Sequence, residues 1–473
     1  MTDRQEIGLR VPSVVAALAV LAPAAALAQP MAGMDMSDHT HAPPASQPAS
    51  PAAPPMGGMD MSGMDMDGMD MGAMAKGETP TTGARPMSGT LGGYPITREA
   101  SGTAWQPDAS EHAGAHAMRG DWMLMGHALI NGVYDWQQGP RGDARGFISG
   151  MVMAMARRNF AGGDAAQFRV MFSPDPLMGK RGYPLLLASG ETADGATPLV
   201  DRQHPHDLFM ELSASYGHRI SDQDSLFVYA GLPGEPAFGP PAFMHRLSIM
   251  DSPEAPISHH WLDSTHIVFG VVTAGYVHGT WKVEVSRFKG REPDQRRYGF
   301  ERPKLDSTAA RLSWNPSRNL ALEASWAHAK DVEQLAPGEA QTKWSASAIY
   351  TVRLGAQSWW SSTLAWGRRR SEGQDLDAAI VESALKLDEA WTLFGRGEWT
   401  QNDELTQGAG HHGPVFDVAK ASVGAVRDWR LADHLRLGLG ALYAVNFVPA
   451  GLKVLYGGGE PRGAMAFVRL KLD

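Results

Sequence analysis

The sequence predicts an all-β chain whose body is a transmembrane, antiparallel, up-and-down β-barrel of about 16 strands, preceded by a disordered Met-rich tract. Three observations predict the barrel. Beyond Asp121, apolar and polar residues alternate with a period of two over stretches of about ten residues. Sixteen such stretches follow one another, and the connections between them alternate between short and long. A period of two marks strands with one apolar and one polar face. Tight turns at one end and long loops at the other are the asymmetry of a membrane barrel.

Residues 1–28 read as a secretory signal. Arg4 and Arg10 mark the n-region, 11–27 is apolar and Ala-rich, and Ala26-Leu27-Ala28 fits a small-x-small cleavage site. Cysteine is absent from the sequence. A secreted body would therefore be held by burial and hydrogen bonding, without disulfides.

Residues 29–78 form a tract of unusual composition. Between positions 31 and 74 stand eleven methionines, six aspartates and two histidines, with no lysine or arginine. Gly, Pro, Ser and Asp surround the methionines, so the segment cannot bury enough apolar surface to offset its ordering entropy. It is expected to be disordered and to expose its thioethers. Met34, Met36, Met59, Met61, Met64, Met66, Met69 and Met71 flank aspartates in four Met-Asp-Met units, and His39 and His41 follow the first. Thioether sulfur suits Cu(I), or silver, whereas imidazole and carboxylate suit Cu(II). The tract is thus a candidate copper-binding segment. It also carries most of the formal net charge of −9, leaving a nearly neutral body with an acidic extension that attracts cations. Nothing in that balance supports nucleic-acid binding. Residues 79–120 are again rich in Gly, Pro, Ser and Thr without periodicity, and read as a linker or as a plug folded back into the body.

The body, 121–473, carries the strands. Trp281, Val283 and Val285 alternate with Lys282, Glu284 and Ser286, and Ala466, Val468, Leu470 and Leu472 with Phe467, Arg469 and Lys471. The segments lie near 122–135, 145–159, 164–174, 206–219, 223–232, 264–277, 279–290, 305–315, 318–329, 341–353, 357–370, 376–387, 390–401, 415–428, 433–446 and 461–472. Trp122, Trp136, Trp344, Trp359, Trp360, Trp391, Trp399 and Tyr443 near strand ends fit interfacial aromatic girdles. A soluble β-sandwich would leave the edges of such strands to be managed. The chain ends on Lys471-Leu472-Asp473 rather than on the aromatic residue usual for such barrels.

Turning apolar residues outward places a second methionine set inward. Met123, Met125 and His127 of the first strand, and Met151, Met153 and Met155 of the second, then face the lumen side by side, with Met171 on the third. Two readings stand: methionines packing against an inward-folded plug, or a soft-metal track on the lumen wall. The other inward positions are Lys282, Glu284, Arg311, Glu323, Arg353, Arg396, Glu398, Arg436, Arg469 and Lys471. They suit either a water-filled pore or ion-pair ladders that close it.

Histidines collect in the long connections. The run Arg202-Gln203-His204-Pro205-His206-Asp207 makes His204 and His206, with Asp207, candidate ligands for Cu(II) or Zn(II). The pairs His259-His260 and His411-His412 are weaker, because adjacent histidines project in different directions, and His266 stands just inside the next strand. His206, Asp207, Glu211 and Ser213 lie close enough to suggest a hydrolase, but parity turns His206 away from the others and no nucleophile elbow is present. The expectation is a protein that is not an enzyme.

A Met/Asp/His-rich N-terminal tract joined to an outer-membrane barrel resembles the copper-resistance protein B family, on the Met-Asp-Met units at 34–36, 59–61, 64–66 and 69–71 with Asp38, His39 and His41. The resemblance implies copper binding and sequestration at the outer membrane of a Gram-negative bacterium, with the tract in the periplasm. Copper ions, outer-membrane lipid and other periplasmic copper-handling proteins are the partners expected. The lumen as a copper conduit is a further expectation, and a general diffusion porin is the alternative.

Overall fold

In a computed structural model the described residues are 87–111, 114–406 and 412–473. The signal at 1–28, the tract at 29–78 with all its candidate ligands, and His411 therefore lie outside them.

Nineteen strands are present in chain order: β1 (Ala115–Arg119), β2 (Trp122–Gln137), β3 (Ala144–Asn159), β4 (Ala165–Phe172), β5 (Tyr183–Thr192), β6 (Pro198–Gln203), β7 (Phe209–Arg219), β8 (Asp224–Gly231), β9 (Val271–His278), β10 (Trp281–Phe288), β11 (Ser307–Ser317), β12 (Leu320–Lys330), β13 (Ala340–Arg353), β14 (Trp359–Ser371), β15 (Gln374–Lys386), β16 (Trp391–Asn402), β17 (Phe416–Ala432), β18 (Leu435–Phe447) and β19 (Arg462–Leu472). Sixteen of them close a barrel. Each pairs antiparallel with its neighbour, and β19 returns to β2 with Leu472 opposite Ala128 and Gly463 opposite Gln137. Closure removes both sheet edges, so every wall strand has a partner on each side. The other three strands are β1, which folds back on β2, and the β5–β6 hairpin.

Alternation holds around the wall. Leu124, Ile148, Phe168, Val228, Val283, Leu364, Leu439 and Val468 point outward and are exposed, while their sequence neighbours point inward and are buried. A continuous apolar exterior on a closed sheet is stable against hydrocarbon and not against water. The chain is a transmembrane barrel. Exposed Trp136, Trp281, Trp326, Trp366, Trp391 and Trp429 supply the outer aromatics. Trp359 does not join them. It faces inward at 4 % exposure and packs in the luminal core with Phe394, because it shares the parity of the inward Ser361 and Thr363.

One rim carries tight turns, such as the two-residue link between His278 and Trp281 in which Gly279 takes φ +54°. The opposite rim carries the long segments 173–208 and 232–270. Both fold into the lumen. The β5–β6 hairpin inserts Leu185, Leu186 and Leu187, each fully buried, against Phe394, Val426, Leu442 and Phe467 of the wall. From the tight-turn rim, residues 87–111 enter as a plug. Arg98 donates to the Gly279 carbonyl (3.0 Å) and pairs with Asp108, and its guanidinium lies 4.9 Å and 4.8 Å from the rings of Tyr94 and Trp105. The plug's Thr103 donates to Glu284 (2.5 Å), which also takes Lys282 (2.8 Å) and Arg311 (2.9 Å). The inward charges of the wall are thus largely tied up. Arg396 pairs with Glu398 (3.0 Å), and Arg469 with Asp428 and Asp251. Arg353, placed inward by parity, is exposed at the tight-turn rim instead.

Two strand starts lie three or more residues from the sequence expectation. The wall strand expected from 264 begins at Val271, and the one expected from 206 begins at Phe209. In both cases the preceding residues belong to loops drawn into the lumen, where burial on all sides imitates the apolar runs of a strand. His266 accordingly sits in a 3-10 turn, not in a strand.

Candidate metal centre

The two inward loops converge on three imidazoles. His206 precedes β7, His259 opens a single helical turn (His259–Leu262), and His266 closes the following 3-10 turn. All three are buried, and one ligand nitrogen from each lies within 4.8 Å of the other two. Their ring orientation is set from behind. His206 Nδ1 donates to Asp175 Oδ2 (2.8 Å), His259 Nδ1 to Asp263 Oδ1 (2.7 Å), and His266 Nδ1 to the Asp263 carbonyl (2.6 Å). A proton held on Nδ1 leaves the Nε2 lone pair free to coordinate, and an oxygen behind Nδ1 is the usual support of a metal-binding histidine. Nε2 of His206 and of His266 is buried with no hydrogen-bond partner among the described residues. Burying such an acceptor unmatched costs about 1–3 kcal/mol, a cost that a bound cation would remove.

The supports are themselves fixed. Asp175 accepts from the Gly150 amide of β3 (3.3 Å). Asp263 accepts from Arg246 Nη1 (2.8 Å) and from the Phe243 amide (3.0 Å). Burial would raise the Asp263 pKa, but the Arg246 charge and the hydrogen bond from His259 overcome it and hold the carboxyl well below the usual range. Burial, with the neighbouring His206 and His259, pushes His266 well below its ordinary value, so it is neutral at pH 7. Replacing Asp175 with alanine is expected to weaken metal binding about 10- to 100-fold by releasing the His206 ring, as measured by chelator competition on the folded barrel.

Of the local motif at 204–207, only His206 belongs to this group. His204 Nε2 lies 3.0 Å from Glu191 Oε1, and Asp207 pairs with Arg297 Nη1 (3.3 Å). The histidine pair 259–260 divides as adjacent helical residues must. His259 joins the three-imidazole centre, whereas His260 joins Glu191 and Glu292 in a second buried group. Although burial opposes it, hydrogen bonding to Glu292 and the charges of Glu292 and Glu191 raise His260 to about 9. Glu191 is held in left-handed backbone (φ +61°), a conformation disfavoured for a side-chain-bearing residue. His412 forms a third group with Asp403 and Glu404.

The methionine set faces inward as parity requires. Met125 stands opposite Met155, His127 opposite Met153, and Met153 opposite Met171 on the next strand. Met123, Met125 and Met155 pack on Ile96 of the plug, and Met151, Met171 and Met210 on Ile267 of the second loop. The hydrolase constellation does not assemble. His206 is bonded to Asp175, and Ser213 donates to Glu211 (2.7 Å) on the wall.

No family model matches the chain, and no curated protein matches it. Solved structures similar to it include OmpT of Vibrio cholerae (9 % identity, TM-score 0.42, covering 76 % of this chain and 100 % of that one). An anion-selective porin from Comamonas acidovorans has 10 % identity and a TM-score of 0.42, covering 74 % and 99 %. OmpF of Salmonella typhi, solved with daunomycin, has 10 % identity and a TM-score of 0.46, covering 75 % and 100 %. Similarity at this level concerns barrel architecture and transfers no function.

Proposed function

We propose that this is an outer-membrane β-barrel of a Gram-negative bacterium that binds copper inside a closed lumen and contributes to copper sequestration or tolerance. The observation that carries the reading is the three-imidazole centre, with each Nδ1 anchored on oxygen and two Nε2 atoms left unmatched among the described residues. At a nitrogen-donor site of given geometry, Cu(II) binds more tightly than the other divalent first-row ions. The Met/Asp/His tract at 29–78 fits the same chemistry, with thioethers for Cu(I) and His39 and His41 for Cu(II). In this reading the tract captures copper in the periplasm, and the barrel holds it. No covalent chemistry is required.

A general diffusion porin is the second reading, and the strand number favours it, since barrels of 16–18 strands are wide enough for an aqueous channel. For that role the plug and both inward loops would have to leave the lumen. The test is copper tolerance of a deletion strain. Wild-type protein is expected to restore growth in copper, and a variant with Leu at the eight Met-Asp-Met methionines, combined with H206A and H259A, is not. Equal rescue by both proteins, together with a planar-bilayer conductance indifferent to copper, would establish the porin.

A further inference from the structure

A second cavity, separate from the three imidazoles, has a different ligand chemistry. It measures about 80 Å³ and lies between β2, β3, the plug and the second inward loop. Met125 and His127 from β2, Met153 and Met155 from β3, and His245 and Met250 from the loop line it. The register makes this more than shared lining. His127 and Met153 are directly opposed, as are Met125 and Met155, so their side chains leave the wall about 5 Å apart on one face. His245 faces them from the loop, and its Nε2 is shielded with no hydrogen-bond partner among the described residues.

Packing alone does not account for this arrangement. Methionine is the residue best suited to closing irregular gaps, yet here four methionines border a void instead of filling it. Interiors normally leave few voids larger than a water molecule. Glu99, Glu111, Gln167 and Arg169 also line the void, and the Arg169 charge is balanced by Glu211 at 2.9 Å. The thioethers and imidazoles are the soft donors among these groups, and they favour soft monovalent ions over hard divalent ones. Met250 also lines a neighbouring void of about 50 Å³, together with Met151, Met244 and His206.

We infer that the cavity bounded by Met125, Met153, Met155, Met250, His127 and His245 is a binding site for a soft monovalent ion, Cu(I) or its analogue Ag(I). It does not depend on the three-imidazole centre being a metal site. Because Met250 borders both voids, an ion held here is one side chain away from the space beside His206.

The experiment is an Ag(I) titration of the full-length chain in detergent. Leu replaces all eleven methionines between 31 and 74, and Gln replaces His39 and His41, throughout, to remove binding by the tract. Folding is checked by heat-modifiable migration. The parent is expected to bind one Ag(I) that M125L/M153L loses, or binds at least about 10-fold more weakly. Leucine keeps the volume, so the barrel is expected to survive. H245Q, a loop substitution, should weaken the same ion should the double variant fail to fold. H206A/H259A should leave it in place, which separates this site from the three-imidazole centre. Unchanged Ag(I) binding in folded M125L/M153L or folded H245Q overturns the inference. So does loss of the ion in H206A/H259A alone, or an anomalous map of Ag(I)-soaked crystals with only water in the cavity.

Discussion

Replacing His206 with alanine is expected to abolish tight Cu(II) binding in the lumen, lowering affinity by more than the about 10- to 100-fold typical when only a ligand's hydrogen-bond partner is lost. With His206 gone, two of three converging imidazoles remain, and among the described residues no other histidine joins their group. His204 is engaged with Glu191, and His260 belongs to the group with Glu191 and Glu292. The effect also appears in stability. A metal present at about 1,000 times its Kd stabilises the folded state by about 4 kcal/mol. Wild-type protein should therefore unfold at a clearly higher temperature with copper than without, and H206A should show no such difference. His218 is the control. It is an exposed histidine paired with Asp164 near the tight-turn rim, and H218A should bind copper as wild type does. If H206A keeps the copper-dependent shift, the centre is not where the ion sits.

How far this centre could be read from the sequence depends on where each residue lies. On the wall, strict alternation between hydrocarbon and lumen leaves a period of two in every strand. Met123, Met125, His127, Met151, Met153 and Met155 could therefore be assigned inward from parity alone. Trp359 could have been assigned in the same way. Its place at a strand end instead suggests the aromatic girdle, because an aromatic residue there looks the same on either face. Loops have no such period. The chelate suggested by His204, His206 and Asp207 is compact in sequence, but the fold spends two of its members on Glu191 and Arg297. The true partners of His206 stand more than fifty residues away, and Asp175, which orients it, lies thirty-one residues before it. Only the folding of two long loops into one lumen brings these residues together. The segment 79–120 lacks periodicity, so its sequence suits a linker as well as a plug. Its contacts come from single residues such as Arg98 and Thr103 reaching individual wall groups.

The second large effect concerns Arg246, which joins the centre to the barrel. Its Nε and Nη2 donate to Glu382 of β15 (2.8 and 2.7 Å), and its Nη1 donates to Asp263 and to the Pro241 carbonyl (both 2.8 Å). All three charged side chains are essentially inaccessible. Arg246→Ala takes the guanidinium from two buried carboxylates, leaving Glu382, among the described residues, only Arg396 at 4.0 Å and the Ser248 hydroxyl, and breaking a buried pair in this way costs on the order of 3–5 kcal/mol. The folded barrel should lose its heat-modifiable mobility at a markedly lower temperature. Arg246→Lys keeps the charge but not the planar fork, so it should fall between wild type and alanine. The more informative variant is R246M/E382L, which removes both partners of the wall pair. Replacing a buried ion pair by apolar groups is often close to neutral, so this variant should be more stable than Arg246→Ala. Copper affinity should not recover with it. Asp263 still lacks the guanidinium that fixes its position, and both His259 and His266 are held through Asp263. Stability and metal binding would then separate in one variant series. If copper affinity instead follows stability across all three variants, Arg246 acts on the centre through the fold alone, and Asp263 does not depend on it to orient the two imidazoles.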